Sequence, residues 1–449
     1  MESLVEKTFK DLFPLNRGLT GRGVLQSFDY IIDNFLPLAC VKSIKSGQQV
    51  YDWTIPEEWN CYDAYVINGK GDKIIDFNKS NLHVVSNSTP VNKTVSGQEL
   101  LNHLHSLPKF PSRIPYRTSY YEKTWGFCCA DELIKSDRFI EPFEVRIDSE
   151  LNPDGNLNWL ECVKKGKSEK EILISSYCCH PSLANDNLSG FVLAAMLFEY
   201  LQSLDTQFTY RLVIVPETIG AIAFLSQANL KHIVGGMVCT CVAGPGKISI
   251  KEGFDKEHFI NKTAHLALQE NCGTNYLTYP FVPDGSDERQ YSTPGFRIVT
   301  PSIHKCKYYE YDEYHTSDDN LSFINAKWLL QTLDVYKSWI NQIELYCIPI
   351  RKNMFCEFQL GKRGLYPNIG GSINQKADFN NDNGNHKRHF KFSDEVNLSF
   401  KHLEAFHWLM HLADGNNSNI QISEKSGIEY KVINEAIAAM WQKGLIDLS

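Results

Sequence analysis

Apolar runs that fit buried strands alternate with longer stretches of helical periodicity through the middle of the chain, residues 156–345. Alternation of this kind predicts an α/β fold with a central, mostly parallel sheet that is covered by helices on both faces. The predicted strands are Asn158–Val163, Glu171–Ser176, Tyr210–Val215, Gly236–Val242, Tyr276–Phe281 and Phe296–Thr300. The predicted helices are Gly190–Leu204, Ala221–Ala228, Phe259–Glu270 and Ala326–Gln342.

The region before this core contains two different sequence patterns. Residues 1–42 contain two amphipathic helical patterns, and we assign them to the same domain as residues 156–369. Residues 43–155 contain short runs of alternating apolar and polar positions, with a hairpin signal at Asn68-Gly69. We therefore predict a β-rich domain at 43–155, inserted into the α/β domain.

The end of the chain is predicted to form a separate small domain. Residues 370–388 are polar and rich in asparagine, which is typical of a linker. Residues 389–449 contain three helical patterns and a short apolar tail, a spacing that fits a winged helix-turn-helix domain. These helices are predicted at Phe400–Leu412, Gln421–Ser426 and Tyr430–Lys443.

Composition narrows the class of protein. With 449 residues, of which 43% are hydrophobic, the chain can build two or three domain cores. The net charge is -8, and residues 387–449 contain seven Lys/Arg and eight Asp/Glu, so a nucleic acid partner is not expected. The start of the chain lacks a basic and apolar leader, and no apolar run approaches 18 residues. We therefore expect a cytoplasmic protein without a membrane span, whose thirteen cysteines are mostly buried and reduced.

The chemistry centres on the stretch His180-Pro-Ser-Leu-Ala-Asn-Asp186-Asn-Leu-Ser-Gly190. It leaves the carboxyl end of one predicted strand and enters a predicted helix. Ligand sites of open α/β sheets lie at this edge. Neutral imidazole and carboxylate are both zinc ligands, so His180 and Asp186 suit a divalent metal.

Three further candidates follow downstream. Glu217 ends an apolar strand, where a carboxylate costs free energy unless it is paired. Asp287 follows Gly-Ser, and His315 lies within Tyr-His-Thr. Each residue alone has a structural explanation, because Asp186 could simply cap the next helix and the others could be loop residues. The order and spacing of all five favour a metal site.

This order of His, Asp-Asn-x-Ser-Gly, Glu-x-x-Gly, Ser-Asp and Tyr-His-Thr resembles that of zinc-dependent aminopeptidases with co-catalytic metal sites. The whole layout resembles bacterial proteins provisionally classed as aminopeptidases, with a β-rich insert and a C-terminal winged helix. The resemblance implies that one or two zinc ions are held by His180, Asp186, Asp287 and His315. It also implies that Glu217 is the general base in hydrolysis of an N-terminal peptide bond or a peptide-like amide.

Two positions depart from that family's pattern. Thr218 stands where the resemblance implies a second glutamate, a metal ligand, and Ser182 stands where it implies an aspartate that orients the first histidine. Both departures predict weaker metal binding, with one zinc ion held or activity lost. In an alternative register Glu217 is itself a ligand and the base is left unassigned, with Glu288 and Glu310 as candidates.

The predicted function is therefore a metallo-aminopeptidase that acts on a peptide or a small amide. One alternative is a catalytically degraded peptidase scaffold with a ligand-binding or regulatory role, and another is an acyl-transfer enzyme with one zinc, such as a cyclotransferase. We expect no thiol nucleophile at Cys178-Cys179, because neighbouring strand residues point to opposite faces. His304 is expected either to line a substrate pocket, which its nearness to His315 favours, or to pack a loop. A homo-oligomer, formed through an edge strand or the C-terminal domain, is left open.

Overall fold

A computed structural model describes residues 1–366 and 400–448 of the chain. By their contacts these residues form two compact units, Met1–Glu344 and Leu345–Ser449. The predicted linker at 370–388 lies outside the described residues, as do residues 389–399 of the predicted C-terminal domain.

The first unit alternates helices and strands through most of its length. Its α-helices are α1 (Glu2–Leu12), α2 (Arg22–Asn34), α3 (Gly97–Asn102), α4 (Asp131–Ile134), α5 (Gly190–Gln202), α6 (Ile219–Gln227), α7 (Phe259–Cys272), α8 (Glu288–Tyr291) and α9 (Ala326–Glu344). A 3-10 helix at Asn81–His83 and a π-helical turn at Ala184–Ser189 complete the helical elements described in this unit. Its strands are β1 (Cys40–Lys45), β2 (Gln49–Val50), β3 (Trp53–Thr54), β4 (Glu58–Ile67), β5 (Lys73–Asp76), β6 (Val91–Val95), β7 (Leu104–His105), β8 (Phe127–Cys128), β9 (Phe143–Asn152), β10 (Asn156–Lys164), β11 (Glu171–Tyr177), β12 (Thr209–Val215), β13 (Ile233–Val238), β14 (Ile248–Lys251), β15 (Leu277–Tyr279) and β16 (Ser302–Lys305).

The central sheet has the strand order β1-β10-β12-β11-β13. The β11 pairings with β12 and β13 are parallel, whereas β10 pairs antiparallel with both β1 and β12. The sheet is therefore mixed, and the prediction of a mostly parallel sheet was wrong. The loop of residues 165–170 that joins β10 to β11 is too short for the crossover that two parallel strands require, so these strands run in opposite directions.

A second sheet of order β15-β14-β16 continues the first. The main-chain N–H groups of Gly236 and Val238 in β13 donate to the carbonyls of Val299 and Pro301, just before β16, at 2.9 and 3.1 Å. The strand predicted at Phe296–Thr300 is wrong, because the strand there is β16, and β14 was not predicted. Helices α5, α7 and α9 begin at their predicted residues.

The central strand β11 and the helix α5 that follows it are buried because their residues are mostly apolar. Every residue of β11 is buried, as a strand with a neighbour on each side and both faces covered requires. Helix α5 is apolar almost all round, and most of it is buried against the sheet. The loops at the carboxyl ends of β11 and β12 are therefore held by the most buried part of the unit.

Four strands within residues 58–152 form an antiparallel sheet of order β5-β4-β9-β6. The predicted hairpin is confirmed between β4 and β5, where Asn68 Oδ1 accepts the N–H groups of Lys70 and Asp72. Side chains along β9 alternate between buried and exposed, and the buried ones contribute to a separate apolar cluster. Strand β1 pairs within the central sheet, although it crosses the predicted boundary at residue 43. The inserted domain with limits 43 and 155 stays a prediction.

The second unit contains three α-helices within its described residues. They are α10 (Phe400–Leu412), α11 (Asn419–Ser426) and α12 (Tyr430–Gln442), and their positions confirm the predicted helices to within two residues. Strands β17 (Pro349–Arg351) and β18 (Ile446–Leu448) pair antiparallel. A capping box between Ser418 and Gln421 begins α11. The winged helix-turn-helix assignment stays a prediction. In the part of the chain that the structure describes, every helix is too short or too polar to cross a membrane.

Candidate metal centre

The edge of the sheet brings together two of the candidate residues. Strands β11 and β12 are parallel, and Tyr177 is paired with Val215 at their carboxyl ends. His180 lies three residues beyond Tyr177, and Glu217 lies two residues beyond Val215. His180 Nε2 and Glu217 Oε2 are consequently 3.8 Å apart.

His180, Asp186 and His315 form a cluster in which one potential ligand atom of each lies within 4.8 Å of the others. Asp186 Oδ2 is 2.9 Å from His315 Nε2 and 4.0 Å from His180 Nε2. Both Asp186 Oδ2 and His315 Nε2 are buried and have no hydrogen-bond partner of acceptable geometry in residues 1–366 and 400–448. Because an unpartnered buried polar atom costs about 1–3 kcal/mol, these two atoms and His180 fit a metal ion as their common partner.

The second oxygen of Asp186 is held by its surroundings. Asp186 Oδ1 accepts a hydrogen bond from the Tyr177 hydroxyl, which is also bonded to Thr240 Oγ1 at 2.8 Å. Tyr177 lies at the end of β11, so the buried strand itself orients this carboxylate. A carboxylate that is held through one oxygen can present the other to a metal.

Asp319 fixes the main chain of the Asp186 loop, and the sequence analysis gave it no functional role. Its Oδ1 accepts the N–H of Asn185 at 2.6 Å, and its Oδ2 accepts the N–H of Asp186 at 3.0 Å. The Tyr311 hydroxyl donates to the same Oδ2 at 3.0 Å. Asp319 is fully buried four residues after His315, so it ties the loops of two candidate ligands together. The acidic pair 318–319 after Tyr-His-Thr was the available signal.

Electrostatics place two residues of the cluster, His180 and Asp186, in metal-binding protonation states. Burial lowers the pKa of His180 to about 4, so this imidazole is neutral at pH 7. Burial alone would raise the pKa of Asp186, but His180, His315 and the Tyr177 hydroxyl outweigh it and hold that pKa at about 2. A carboxylate and a neutral imidazole are the forms that bind zinc.

Glu217 differs from His180 and Asp186 in the exposure and the pKa of its side chain. Its side chain is 22% exposed, against 5% for His180 and 1% for Asp186, so it is the most accessible of the three. Burial of the carboxyl, together with the nearby charges of Asp287 and Asp186, raises its pKa well above the usual range. A carboxyl group with a raised pKa beside a metal site is suited to accept and return a proton.

Asp287 does not join the cluster. Its Oδ1 accepts the N–H of Thr218 at 2.7 Å, and burial raises its pKa to about 7. The Thr218 hydroxyl in turn accepts a hydrogen bond from Arg289 Nη2 at 2.8 Å. Arg289 therefore contacts Thr218, which stands where the family resemblance implies a second glutamate ligand.

The second departure, Ser182, does not orient His180. Its hydroxyl accepts a hydrogen bond from Asn81 Nδ2 at 3.0 Å. The Nδ1 atom of His180 instead faces Cys179 Sγ at 3.7 Å. Burial raises the pKa of the Cys179 thiol well above its usual range, which disfavours the thiolate form of this residue.

Three residues of the site have left-handed backbone conformations that non-glycine residues rarely adopt. The φ angles are 53° at Ser182, 64° at Thr218 and 54° at His315. Each such residue costs about 1–3 kcal/mol and persists only where the surrounding structure requires it. Their concentration around one cluster is typical of a functional site.

Glu288 and Glu310, the alternative candidates for the general base, lie outside the metal cluster. Glu288 is buried and pairs with Lys251 at 2.7 Å, and Glu310 is half exposed and lies 3.6 Å from Lys307. His304 is completely buried, so the favoured expectation that it lines an accessible substrate pocket was wrong.

Tyr116, from the predicted insert, contacts the cluster and was not found by sequence reasoning. Its ring centroid is 4.9 Å from that of His180 and 5.2 Å from that of His315. Its N–H donates to the carbonyl of His315 at 2.9 Å, and Pro115 forms a β-bridge with Thr316. The segment around Tyr116 is therefore part of the wall of the site.

Comparison with known proteins places the chain in a family. The profile of the family described as "Domain of unknown function (DUF4910)" matches residues 6–345. A protein of Clostridium acetobutylicum is 40% identical over 445 residues, which cover 98% of this chain and 95% of the relative. That relative is provisionally named a polysaccharide biosynthesis protein with an aminopeptidase-like domain.

Solved structures show the fold. A crystal structure of a protein from Clostridium acetobutylicum, provisionally called a peptidase, has a TM-score of 0.83 at 37% identity and covers 100% of this chain and 96% of its own. A zinc aminopeptidase from Bacillus subtilis has a TM-score of 0.55 at 12% identity, covering 75% of this chain and 94% of its own. The α/β fold is thus similar to that of zinc aminopeptidases, which confirms the predicted resemblance at the level of the fold.

Proposed function

The chain belongs to the DUF4910 family, and from the site described above we propose that it is a zinc-dependent aminopeptidase. It hydrolyses an N-terminal peptide bond or a peptide-like amide. The observation that carries this proposal is the cluster of His180, Asp186 and His315, with Glu217 3.8 Å from His180 Nε2. The fold shared with a zinc aminopeptidase and the aminopeptidase-like domain in the relative's name support it.

We propose one zinc ion per chain, held by His180, Asp186 and His315. Three protein ligands that leave a coordination position open are typical of catalytic zinc. Asp287 is left out of this ligand set, because it lies outside the cluster formed by His180, Asp186 and His315. A second ion would lack a glutamate at Thr218, whose hydroxyl is bonded to the Arg289 guanidinium.

Each group has a separate task in the proposed reaction. When bound, zinc would polarise the amide carbonyl and lower the pKa of water. Glu217 accepts a proton from the attacking water and returns it to the leaving amine, which its partly exposed side chain and raised pKa support. Tyr116 packs against both histidines, and we infer that it limits the substrate to a small peptide or amide.

A second candidate function is a binding protein on a degraded peptidase scaffold. It is favoured by the hydrogen bond between Arg289 and Thr218 and by Ser182, which is bonded to Asn81 rather than to His180. In that case the cluster would bind zinc as a structural or regulatory ion, and no amide would be hydrolysed.

The test combines metal content with hydrolysis. Protein purified without added metal, and again after zinc, cobalt or manganese addition, is measured against a panel of aminoacyl amides. We expect one metal per chain and turnover that falls about 10²–10⁴-fold in Glu217→Gln, with the metal retained. Glu310→Gln is the matched control, because Glu310 is half exposed and pairs with Lys307.

Each other outcome has a definite meaning. Bound metal without turnover would favour the binding-protein function. Absence of metal under every condition would exclude the ligand assignment. Full activity in Glu217→Gln would exclude Glu217 as the base.

A further inference from the structure

Thr218, the residue after the proposed base, has a backbone conformation that threonine rarely adopts. Its φ angle is 64°, in the left-handed region. A β-branched residue is an outlier there, whereas glycine adopts this conformation readily. Because a strained residue persists only where its surroundings hold it, the contacts of Thr218 must offset the cost.

Two hydrogen bonds tie Thr218 to α8. Its N–H donates to Oδ1 of Asp287, the residue just before the helix, at 2.7 Å. Its Oγ1 accepts a hydrogen bond from Nη2 of Arg289, within the helix, at 2.8 Å. A glycine would adopt the same φ at lower cost but could not make the second bond. The hydroxyl therefore gives a physical reason for a threonine at this position.

Helix α8 is itself held from the other side. Glu288, the residue between the two that contact Thr218, accepts hydrogen bonds from Lys251 Nζ at 2.7 Å and from the Tyr308 hydroxyl at 2.6 Å. Lys251 and Glu288 are both buried, and Lys251 Nζ also donates to the carbonyl of Asp284 at 2.6 Å. A buried ion pair of this kind is costly to break, so α8 is a firm support for Thr218.

The Arg289 guanidinium makes its one side-chain hydrogen bond within the described residues to Thr218. Arginine in a partly buried position usually pairs with a carboxylate. Here the adjacent Glu288 pairs with Lys251, and Arg289 forms no ion pair in residues 1–366 and 400–448. The donor geometry of Arg289 is thus used on a hydroxyl next to the proposed base.

We propose that Arg289 is a positioning residue, which holds Glu217 in place through the Thr218 hydroxyl. This inference rests on the proposed function, since it gives Thr218 and Arg289 a part in the same hydrolysis. The planar peptide unit joins Glu217 rigidly to Thr218, so a change in the φ of Thr218 turns Glu217 relative to α6, which begins at Ile219. The pair fixes the Glu217 carboxyl beside His180, and threonine at this position is a working part of the site.

The position of Glu217 can be measured directly in a matched pair of variants. Thr218→Val keeps the β-branched shape but cannot accept the bond from Arg289, whereas Thr218→Ser keeps the hydroxyl. Crystal structures of the original full chain and of both variants are determined from protein treated with a chelator. In the valine variant the strained backbone is released, so the 3.8 Å between Glu217 Oε2 and His180 Nε2 should change by about 1 Å. In the serine variant it should not change.

Kinetics measure the consequence of that displacement. With zinc loaded and the panel of aminoacyl amides, kcat should fall about 10²-fold in Thr218→Val, with KM, bound zinc and melting temperature kept. Thr218→Ser should retain most of kcat. A purely structural weakening would instead lower the melting temperature or the bound zinc together with kcat.

Arg289→Met removes the same bond from its other end. Its kcat should match that of Thr218→Val, and the double variant should be about as slow as each single variant, because all three lack one bond. Each protein is compared at its own optimum pH, since the Arg289 charge also lowers the pKa of Glu217. Arg146→Met is the control, because Arg146 is 43% exposed and pairs with Asp148. It should behave like the original chain.

Three outcomes would overturn the proposal. One is a Glu217 position that is the same in Thr218→Val as in the original chain. Another is an equal loss of kcat in Thr218→Ser and Thr218→Val. The third is additive losses in the double variant, which would show that Arg289 acts by its charge and not through Thr218.

Failure of the proposed function would look different. If the original chain hydrolyses none of the amides, the proposed hydrolysis is excluded, and the crystal structures still decide the positioning role. A displaced Glu217 in Thr218→Val would support it, and an unmoved Glu217 would overturn it. If the valine variant does not fold, the structure of Arg289→Met gives the same decision.

Discussion

The carboxylate of Asp319 accepts the main-chain N–H of Asp186 at 3.0 Å. This bond joins the loop after His315 to the loop that carries the acidic residue of the metal cluster. Its second oxygen accepts the N–H of Asn185 at 2.6 Å, so both oxygens are used to hold one turn of main chain. Residues that orient a ligand in this way commonly change metal affinity 10–100-fold when they are replaced.

Asp319→Asn should weaken zinc binding by about 10–100-fold, because an amide keeps only one acceptor oxygen for two N–H donors. Calorimetric zinc titration measures this. Asp318→Asn is the control, since Asp318 is 46% exposed and its carboxylate pairs with Arg113 at 2.7 Å. Equal zinc affinity in Asp319→Asn and the unmodified chain would show that the turn does not need the second bond.

Zinc should stabilise the folded chain through the His315 side chain. At a free zinc concentration 100 times the dissociation constant, the free energy of unfolding should rise by about 2.7 kcal/mol, because the ion binds only the folded state. His315→Ala should lose most of this increment in urea unfolding with and without a chelator. His232→Ala, at a partly exposed histidine outside the cluster, should keep it. A full increment in His315→Ala would remove His315 from the ligand set.

The ring of Tyr116, more than its hydroxyl, should support the two histidines. Tyr116→Phe keeps the ring contacts with His180 and His315, so zinc affinity should stay close to that of the unmodified chain. Tyr116→Ala removes a buried ring and should lower the free energy of unfolding by about 3 kcal/mol. It should also weaken zinc binding. Denaturant unfolding and zinc titration of the pair measure this, and an alanine variant as stable as the phenylalanine variant would refute it.

His304 should make the protein less stable in acid. Burial holds its pKa well below 6.5, and neither ring nitrogen has a hydrogen-bond partner among the described residues. The unfolded chain, with a histidine pKa near 6.5, takes up a proton as the pH falls through that value, whereas the folded chain does not. Stability contributed by the neutral ring is therefore present above pH 6.5 and is lost as the pH falls below it.

Between pH 7.5 and 5.5, His304 alone should lower the free energy of unfolding by about 1.4 kcal/mol. His304→Phe should remove this part, because phenylalanine keeps a ring beside Tyr308 and cannot be protonated. Urea unfolding of both proteins at the two pH values, with a chelator present, gives the difference. Other buried histidines titrate equally in both proteins and cancel. An identical loss in the variant and the original chain would contradict the prediction.

Local sequence determined the elements and most of the candidate residues. The starts of α5, α7 and α9 could be predicted because apolar periodicity and the residues at a helix start are local features. The motif from His180 to Gly190 identified a strand-to-helix connection, and the order of His180, Asp186, Glu217, Asp287 and His315 predicted a metal site. Four of these five residues lie close together in the structure, and Asp287 lies outside the cluster.

Only the tertiary structure decided how the residues are grouped. Asp287 is close to Thr218 rather than in the cluster, while Asp319 and Tyr116 support the cluster from positions far apart in the chain. The antiparallel β10 and the β16 position likewise depend on pairing between distant segments. The physical reason is that periodicity and capping act over a few residues, whereas strand pairing and side-chain contacts are set by the packing of the whole unit.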